Sequence, residues 1–370
     1  MNLRFRGISP AGCLAAVWLA GATLAFADHE SNLAKTFPVS PGGKLVVRAD
    51  RGTIDVTTSN VDQVAIQVWR AVKGGSKARA DEVFADHDVT FTQESNTVTV
   101  NARMNESFTS SWFHHRPNLQ VRYEIVIPDK FNVDLKTFGG SITVPDLTGE
   151  ARGETSGGHL KFGRIDGPVW GKTFGGGITV AGATGAVEVA TSGGQIELGE
   201  VGGKVSAQTF GGSITVRRAG GAVTAKTSGG RITIGEAVGS VEAKTFGGSI
   251  SIRKAKASVT AETSGGGIDV GEAGGAVTAK TFGGSITASL AGQPADDCRL
   301  ETSGGSIHVK LAPTVAVDLA ASTSGGGVQT ELPVTVQGAQ GRGTLEGKIN
   351  GGGKRLRLQT HGGSIYVEKL

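Results

Sequence analysis

Cysteine, proline, aromatic residues and an excess of one charge are all scarce in this chain. Of its 370 residues 2 are Cys, 10 are Pro and 5% are aromatic, and the formal net charge is +4. So few cysteines exclude a disulfide-stapled scaffold. So little proline, with no glycine at every third position, excludes collagen. A nearly balanced charge offers no basic footprint for nucleic acid. The one long apolar stretch lies at the N-terminus and is shorter than the ~20 residues a membrane span needs. Glycine is what the chain has in excess, 60 residues or about one in six, against roughly 7% in ordinary proteins. Each Gly costs about 1 kcal/mol inside a helix, so a compact helical enzyme fits badly. With 38% hydrophobic and 19% charged residues the chain has enough apolar surface to fold. A turn-rich β protein is expected, long enough for one large domain or two smaller ones.

Residues 1–27 read as a signal peptide. Arg4 and Arg6 form a positive start, Cys13 to Phe26 an apolar core, and Ala25-Phe26-Ala27 an A-x-A cleavage site. Cys13 follows Pro10-Ala11-Gly12 without an apolar run before it, which argues against a lipid-modified cysteine. Cleavage before Asp28 removes two Arg and no acid, so the charge falls from +4 to +2. One cysteine remains, Cys298, and no internal disulfide can form. Cys298 reads as a small residue in a variable loop, since nothing near it in sequence would lower its pKa.

Internal repetition dominates the rest. Thr-Phe-Gly-Gly begins at Thr137, Thr173, Thr209, Thr245 and Thr281, and Thr-Ser-Gly-Gly at Thr155, Thr191, Thr227, Thr263, Thr302 and Thr323. From Thr137 to Thr281 every step between tetrads spans eighteen positions, and beyond Thr281 the steps lengthen to twenty-one. Degenerate copies follow at Ile349-Asn350-Gly351-Gly352 and Thr360-His361-Gly362-Gly363. Within the repeat at Thr209, Ile214 and Val216 alternate with Ser213 and Thr215, and Val223 and Ala225 with Thr224 and Lys226. Alternation of period 2 gives two short strands, each with one face inward. The glycine pairs are read as corners at positive φ. Strands this short bury nothing alone, so coils must stack, which defines a β-solenoid.

Phe and Ser alternate at the corner, so the sequence repeats fully only after two steps, and one coil corresponds either to two steps or to one. The tenth position runs Asp146, Arg164, Gly182, Glu200, Arg218, Glu236, Lys254, Glu272. A two-step coil would stack Glu200, Glu236 and Glu272 on one another, and like charges directly opposite destabilise a sheet. A one-step, 18-residue coil alternates the signs and is preferred. In that register Phe138, Ser156, Phe174 and Ser192 are expected to interlock, each ring covering its smaller neighbour. About twelve or thirteen coils at ~4.8 Å make a rod of roughly 60 Å.

The expected organisation is a signal peptide (1–27), a β-rich head or cap (28–136), regular repeats (137–301), and irregular repeats ending in a C-terminal cap (302–370). In the head, 44–48, 53–56, 64–68, 89–91, 97–100 and 121–127 read as strands. Ser76 to His87 reads as a helix with Ala78, Ala80, Val83 and Phe84 as its apolar stripe. Such ends protect the open edges of a stack.

Lys35-Thr36-Phe37-Pro38-Val39, the strand start Gly42-Gly43-Lys44-Leu45, Val72-Lys73-Gly74-Gly75-Ser76 and the Thr-Ser-Gly-Gly-x-Ile repeats resemble a bacterial family of adhesin-like repetitive β-solenoid domains of unknown function. The resemblance covers nearly the whole mature chain. It implies a right-handed, single-stranded β-helix in an exported or envelope-associated protein, and it brings no catalytic residue to transfer. Fold alone does not fix function.

No catalytic, cofactor or metal site is expected. The 7 His are scattered and only His114-His115 are adjacent. Metal sites need clustered ligands, calcium-binding glycine repeats carry an Asp in each turn, and no Gly-Lys-Ser/Thr ending makes a phosphate loop of the glycine pairs. Trp112, Phe113, His114, His115 and Arg116 form a candidate contact patch at a loop tip, aromatics beside Arg being common anchors. The same loop could instead fold onto its own domain.

A polysaccharide lyase or hydrolase is the alternative reading, but Glu200, Glu236 and Glu272 interleave with cations rather than converging as a catalytic pair. Ice or crystal binding would use the outward Thr143, Thr179, Thr215, Thr233 and Thr287, yet Lys161, Glu197 and Asp269 break that column. The sequence therefore points to a noncatalytic rod, periplasmic, cell-surface or secreted, that meets an envelope or extracellular protein or polysaccharide.

Overall fold

The computed structural model describes residues 29–105 and 118–370; the expected signal peptide and the Trp112–Arg116 patch lie outside them. Each regular coil contributes one strand to each of two parallel sheets. The coil at Thr209 supplies Ile214–Ala219 to the first and Val223–Lys226 to the second. Ile214, Val216, Ala219, Val223 and Ala225 point inward and are fully buried. The next coil stacks directly on it, Ile214 beside Ile232 and Val223 beside Val241. The one-step register therefore holds. Glu200 lies beside Arg218, Arg218 beside Glu236, and Glu236 beside Lys254, with ion-pair distances of 3.7 Å for Arg218–Glu236 and 2.8 Å for Lys254–Glu272.

Inward threonines tie the coils at the glycine corner. In twelve coils the Thr Oγ1 donates to the carbonyl of the second corner glycine, or its equivalent, in the adjacent coil, at 2.6 to 2.9 Å. In most of them the same oxygen sits 3.3 to 3.4 Å from the amide of its own second glycine.

The reason for that glycine differs from expectation. None of the Thr-Phe-Gly-Gly or Thr-Ser-Gly-Gly glycines has positive φ. A Cβ on Gly212 would instead lie 2.0 Å from the Gly194 carbonyl oxygen, and on Gly230 2.1 Å from that of Gly212. Close stacking, not turn conformation, requires glycine there.

The N-terminal strands are β1 (His29–Pro38), β2 (Lys44–Ala49), β3 (Thr53–Ser59), β4 (Gln63–Val72), β5 (His87–Glu94), β6 (Thr97–Met104), β7 (Leu119–Pro128), β8 (Asn132–Lys136) and β9 (Ile142–Val144). Sequence reasoning missed β1 and β8. The helix, α1 (Lys77–Asp86), is close to the expected span, and the Ser76 side chain caps it by accepting from the Arg79 amide. Ala80 and Val83 are buried, while Ala78 is exposed.

Chain order is inverted at both ends of the stack. The coil made of β2 and β3 pairs in parallel with β8 and β9 on one side and with β6 and β7 on the other. An early coil is thus enclosed between later ones. At the other end the last coil, Lys354–Thr360 and Ile365–Lys369, is inserted between Cys298–Leu311 and Val317–Thr330. The outer edges turn antiparallel: β1 with β4, β5 with β6, and Val334–Gly341 with Thr344–Ile349.

Two further expectations need correction. Ile349–Gly352 is not a repeat corner but a turn between strands, with Asn350, Gly351 and Gly352 at positive φ. Cys298 is not in a loop; it begins a core strand and is buried. Burial pushes its thiol pKa up, so it is an inert core residue.

Replacing Thr227 by Val removes a tie to Gly212 while keeping the shape. It should lower stability by about 1 kcal/mol, and Thr227→Ser should lose less. Gly230→Ala should cost more than either, because the stacked backbones must separate. Guanidinium unfolding of the three variants checks this ordering, and a wild-type midpoint for Thr227→Val would remove the tie from the account.

Candidate functional site

Alternation fixes which way the corner residue faces. Val223, Ala225 and Thr227 point inward, so residue 228 and its equivalents point out. In alternate coils that position is Phe. Phe138, Phe210, Phe246 and Phe282 are 67 to 71% exposed and Phe174 is 55% exposed. The expected interlocking of rings over serines is therefore not what the column does. The rings stand in solvent, and Ser156, Ser192 and Ser264 lie half-buried between them.

The backbone beneath is satisfied. The Ser192 and Gly193 amides both donate to the Phe174 carbonyl, at 3.2 and 2.9 Å, and the pattern recurs along the rod. With coils ~4.8 Å apart, successive rings are roughly 9.6 Å apart. They form one ridge of phenyl knobs and serine notches. The five rings are most of the large exposed apolar side chains among the described residues.

Charges flank the ridge at the last position of each second-sheet strand. The column reads Lys136, Glu154, Lys172, Ala190, Gln208, Lys226, Lys244, Glu262, Lys280, Glu301. Lys136 meets Glu154 at 3.0 Å and Lys244 meets Glu262 at 3.2 Å. Lys172 Nζ lies 5.7 Å from the Phe174 ring centre. One column further out, Glu242 takes both Lys226 (3.2 Å) and Lys244 (3.4 Å). The Lys226 hydrogen bond, with help from Lys244, holds the Glu242 carboxyl below its usual pKa, and Glu262 followed by Glu242 raises that of Lys244. These pairs are exposed and add little stability. On the other flank Ser141, His159, Gly177, Gln195, Ser213, Arg231, Ser249, Gly267, Ser285 and Ser306 follow the glycines.

Elsewhere the surface is a poorer candidate. An open groove of about 730 Å³ runs past Asp129, Asp146, Arg164, Asp166, Glu200 and Arg218. Two of its acids serve the coil stack: Asp146 Oδ1 accepts the Arg164 amide at 2.7 Å, and Asp166 Oδ1 accepts the Thr184 hydroxyl at 2.8 Å. Among the described residues no group of three His, Cys, Asp or Glu side chains is placed to hold a metal ion. The threonine column that suggested ice binding is interrupted where expected, Glu197 lying beside Thr179 and Thr215.

The head contains a largely buried polar cluster that the sequence did not reveal. His87 and Tyr123 are buried, and His87 Nε2 lies 3.7 Å from Asp50 Oδ1. Arg70 donates to the Phe84 and His87 carbonyls and to Ser31 Oγ. Asp50 Oδ1, both His87 ring nitrogens and Tyr123 Oη have no hydrogen-bond partner among the described residues. Burial pushes the Tyr123 phenol pKa up. Burial alone would also raise that of Asp50, but His87, the Met104 amide and Arg51 outweigh it and hold the carboxyl below its ordinary value.

Residues 43–368 match the family Toastrack DUF4097. Solved structures that this chain is similar to include a candidate cell adhesion protein from Clostridium sporogenes ATCC 15579, at 8% identity over 92% of this chain and 100% of that one, TM-score 0.20. Two from Parabacteroides distasonis ATCC 8503 are similar at 10% identity and TM-score 0.28. One is a candidate adhesin (75% of this chain, 97% of that one) and the other a candidate lipid binding protein (76% and 95%). No curated protein matches. Among the described residues no helix is long and apolar enough to cross a membrane.

A carboxyl whose folded pKa is depressed stabilises the fold above its unfolded value, near 4, and loses that contribution as pH falls through the lowered value. Asp50→Asn should therefore be less stable than wild type at pH 7 and lose less on acidification. Thermal unfolding from pH 7 to pH 3 measures both slopes, and parallel acid limbs would remove Asp50 from the head's stability.

Proposed function

We propose, from the premise that the chain belongs to the Toastrack DUF4097 family, that it is an exported, noncatalytic, adhesin-like β-solenoid presenting a repetitive surface to a macromolecular partner. The observation that carries this reading is the ridge from Phe138 to Phe282. Five large apolar side chains held in solvent on a rigid rod have no role in the core, and aligned exposed aromatics mark interaction sites. Residues 1–27 support export. The antiparallel ends act as caps that keep the stack from growing edge to edge. The Trp112–Arg116 segment is a second place where contact would be made.

Replacing Phe174, Phe210 and Phe246 by Ser copies residues already found at this corner, so the coil should survive. The mature protein should be retained by at least one of peptidoglycan, envelope polysaccharide, envelope protein or the immobilised protein itself. The triple variant should bind at least tenfold more weakly, with an unchanged circular dichroism spectrum. Equal retention of the two proteins would exclude the ridge. Release of reducing ends or unsaturated sugars from a polysaccharide panel, abolished by one carboxylate change, would overturn the noncatalytic reading.

A further inference from the structure

We infer that the partner this ridge fits is a second copy of the same chain, laid antiparallel along it; the inference rests on the ridge being the binding surface. The ridge has the form of its own complement, with a knob in every second coil and a notch in the coil between. Ten stacked coils carry it, from Phe138 to Ser303, and the longer step before Ser303 leaves the stack unbroken, since Gly304 donates to the Phe282 carbonyl at 2.9 Å.

When two such rods face each other about a two-fold axis perpendicular to their length, the first coil meets the tenth, the second the ninth, and so on. Phe138 then faces Ser303, Phe174 faces Ser264, Phe210 faces Ser228, Phe246 faces Ser192 and Phe282 faces Ser156. This register places all five rings over serines. A two-coil slip one way leaves Phe282 without a serine, while the other way sets Phe138 over Ser324, two coils beyond Ser303, so the rings alone leave two registers.

The flanking charges choose the first of them, because the slipped register sets Lys226 against Lys244 and like charges directly opposite destabilise an interface. The two-fold axis keeps each column opposite itself, so Lys136 faces Glu301, Lys172 faces Glu262 and Lys280 faces Glu154. Lys226 meets Gln208 and Lys244 meets Ala190, and no two like charges meet. On the other flank Ser141 faces Ser306, His159 faces Ser285, Gly177 faces Gly267, Gln195 faces Ser249 and Arg231 faces Ser213. A parallel pairing would instead set the charged column against this second one, and the complementarity would be lost.

The floor of the ridge also suits close approach. A Cβ on the first corner glycine would rest 3.4 Å from a carbonyl oxygen of the adjacent coil at Gly175, Gly193, Gly211 and Gly247, an ordinary contact, and 3.1 to 3.2 Å away at Gly265, Gly283 and Gly304, a tight one. In the first half of the ridge stacking does not demand glycine, whereas a second backbone approaching the surface would. The area suffices. An aromatic side chain offers about 150–250 Å², so ten rings that are mostly exposed bring on the order of 1,000 Å², the threshold for a specific interface. Because the contact is isologous it closes at two copies.

Sedimentation velocity on the mature protein should show a dimer. Lys172→Glu and Glu262→Lys each set like charges together twice in the dimer, and each should weaken it at least tenfold. Mixed in equal amounts, the two variants should form a dimer containing one of each, recovered through a tag on one of them. A role within the rod gives no rescue by mixing.

The inference is overturned by a wild-type monomer up to high micromolar concentration, by variants that dimerise like wild type, or by failure of mixing to restore pairing. It is also overturned if the Phe174, Phe210, Phe246 to Ser variant remains dimeric. A monomer that binds an envelope glycan or protein through the same rings would overturn self-pairing and leave the ridge as the binding surface.

Discussion

The contact between one coil and the next is the constraint on which the rest of this protein depends. Neither strand of a coil can bury its inner face alone, so every coil draws its stability from its neighbours, as in other repeat proteins. The corner makes the strictest demand. The second glycine must lack a side chain because a Cβ on Gly212 would fall 2.0 Å from the Gly194 oxygen. The threonine three residues earlier closes that approach with a hydrogen bond, Thr209 Oγ1 to the Gly194 carbonyl at 2.9 Å. Thr and the second Gly are thus two halves of one device, which also explains why a chain without disulfides can hold a long stack in register.

A stack built this way has exposed edges at both ends, and the chain solves both in the same manner. At each end it places a coil out of sequence order, enclosed by coils from elsewhere, and finishes with antiparallel strands. The threonine tie follows space rather than sequence: Thr137 bonds to Gly52, Thr360 to Gly305, and Thr323 to Gly363. The enclosed coils cannot leave without the coils outside them separating first. Fraying from either terminus is opposed by topology as well as by hydrogen bonds.

Much of this was legible in the sequence because the repeat is strict. The even spacing of the tetrads and the alternating signs at Glu200, Arg218, Glu236 and Lys254 determined coil length and register. The apolar stripe that includes Ala80 and Val83 marked the helix between Ser76 and His87. Chain inversion at the ends was not legible, since β2 resembles any regular strand and nothing local to Lys44–Ala49 says which strands will flank it. Cys298 was misplaced because the lengthened step looked like a loop, whereas the extra residues bulge before it and the cysteine re-enters the core. The group of Asp50, His87 and Tyr123 joins residues more than thirty positions apart and has no sequence signature.

The Phe and Ser alternation shows how a correct observation was assigned to the wrong surface. Interlocking large and small residues belongs to an interior, yet the parity of Val223, Ala225 and Thr227 already sends residue 228 outward. The interior itself does not distinguish odd coils from even ones. Ile214, Ile232, Ile250 and Ile268 are the same residue, and so are Ala225, Ala243 and Ala261. The inner face therefore needs a period of one coil and nothing longer. Rings in every coil, ~4.8 Å apart, would close into a continuous stack and leave no notches. Rings in none would leave a polar corner like any other. At Glu200, Arg218, Glu236 and Lys254 a two-coil period also appears, and there ion pairing within the rod accounts for it; the Phe and Ser column has no such partner in the rod, and its knobs and notches are the part of the two-coil period that the stack leaves unused.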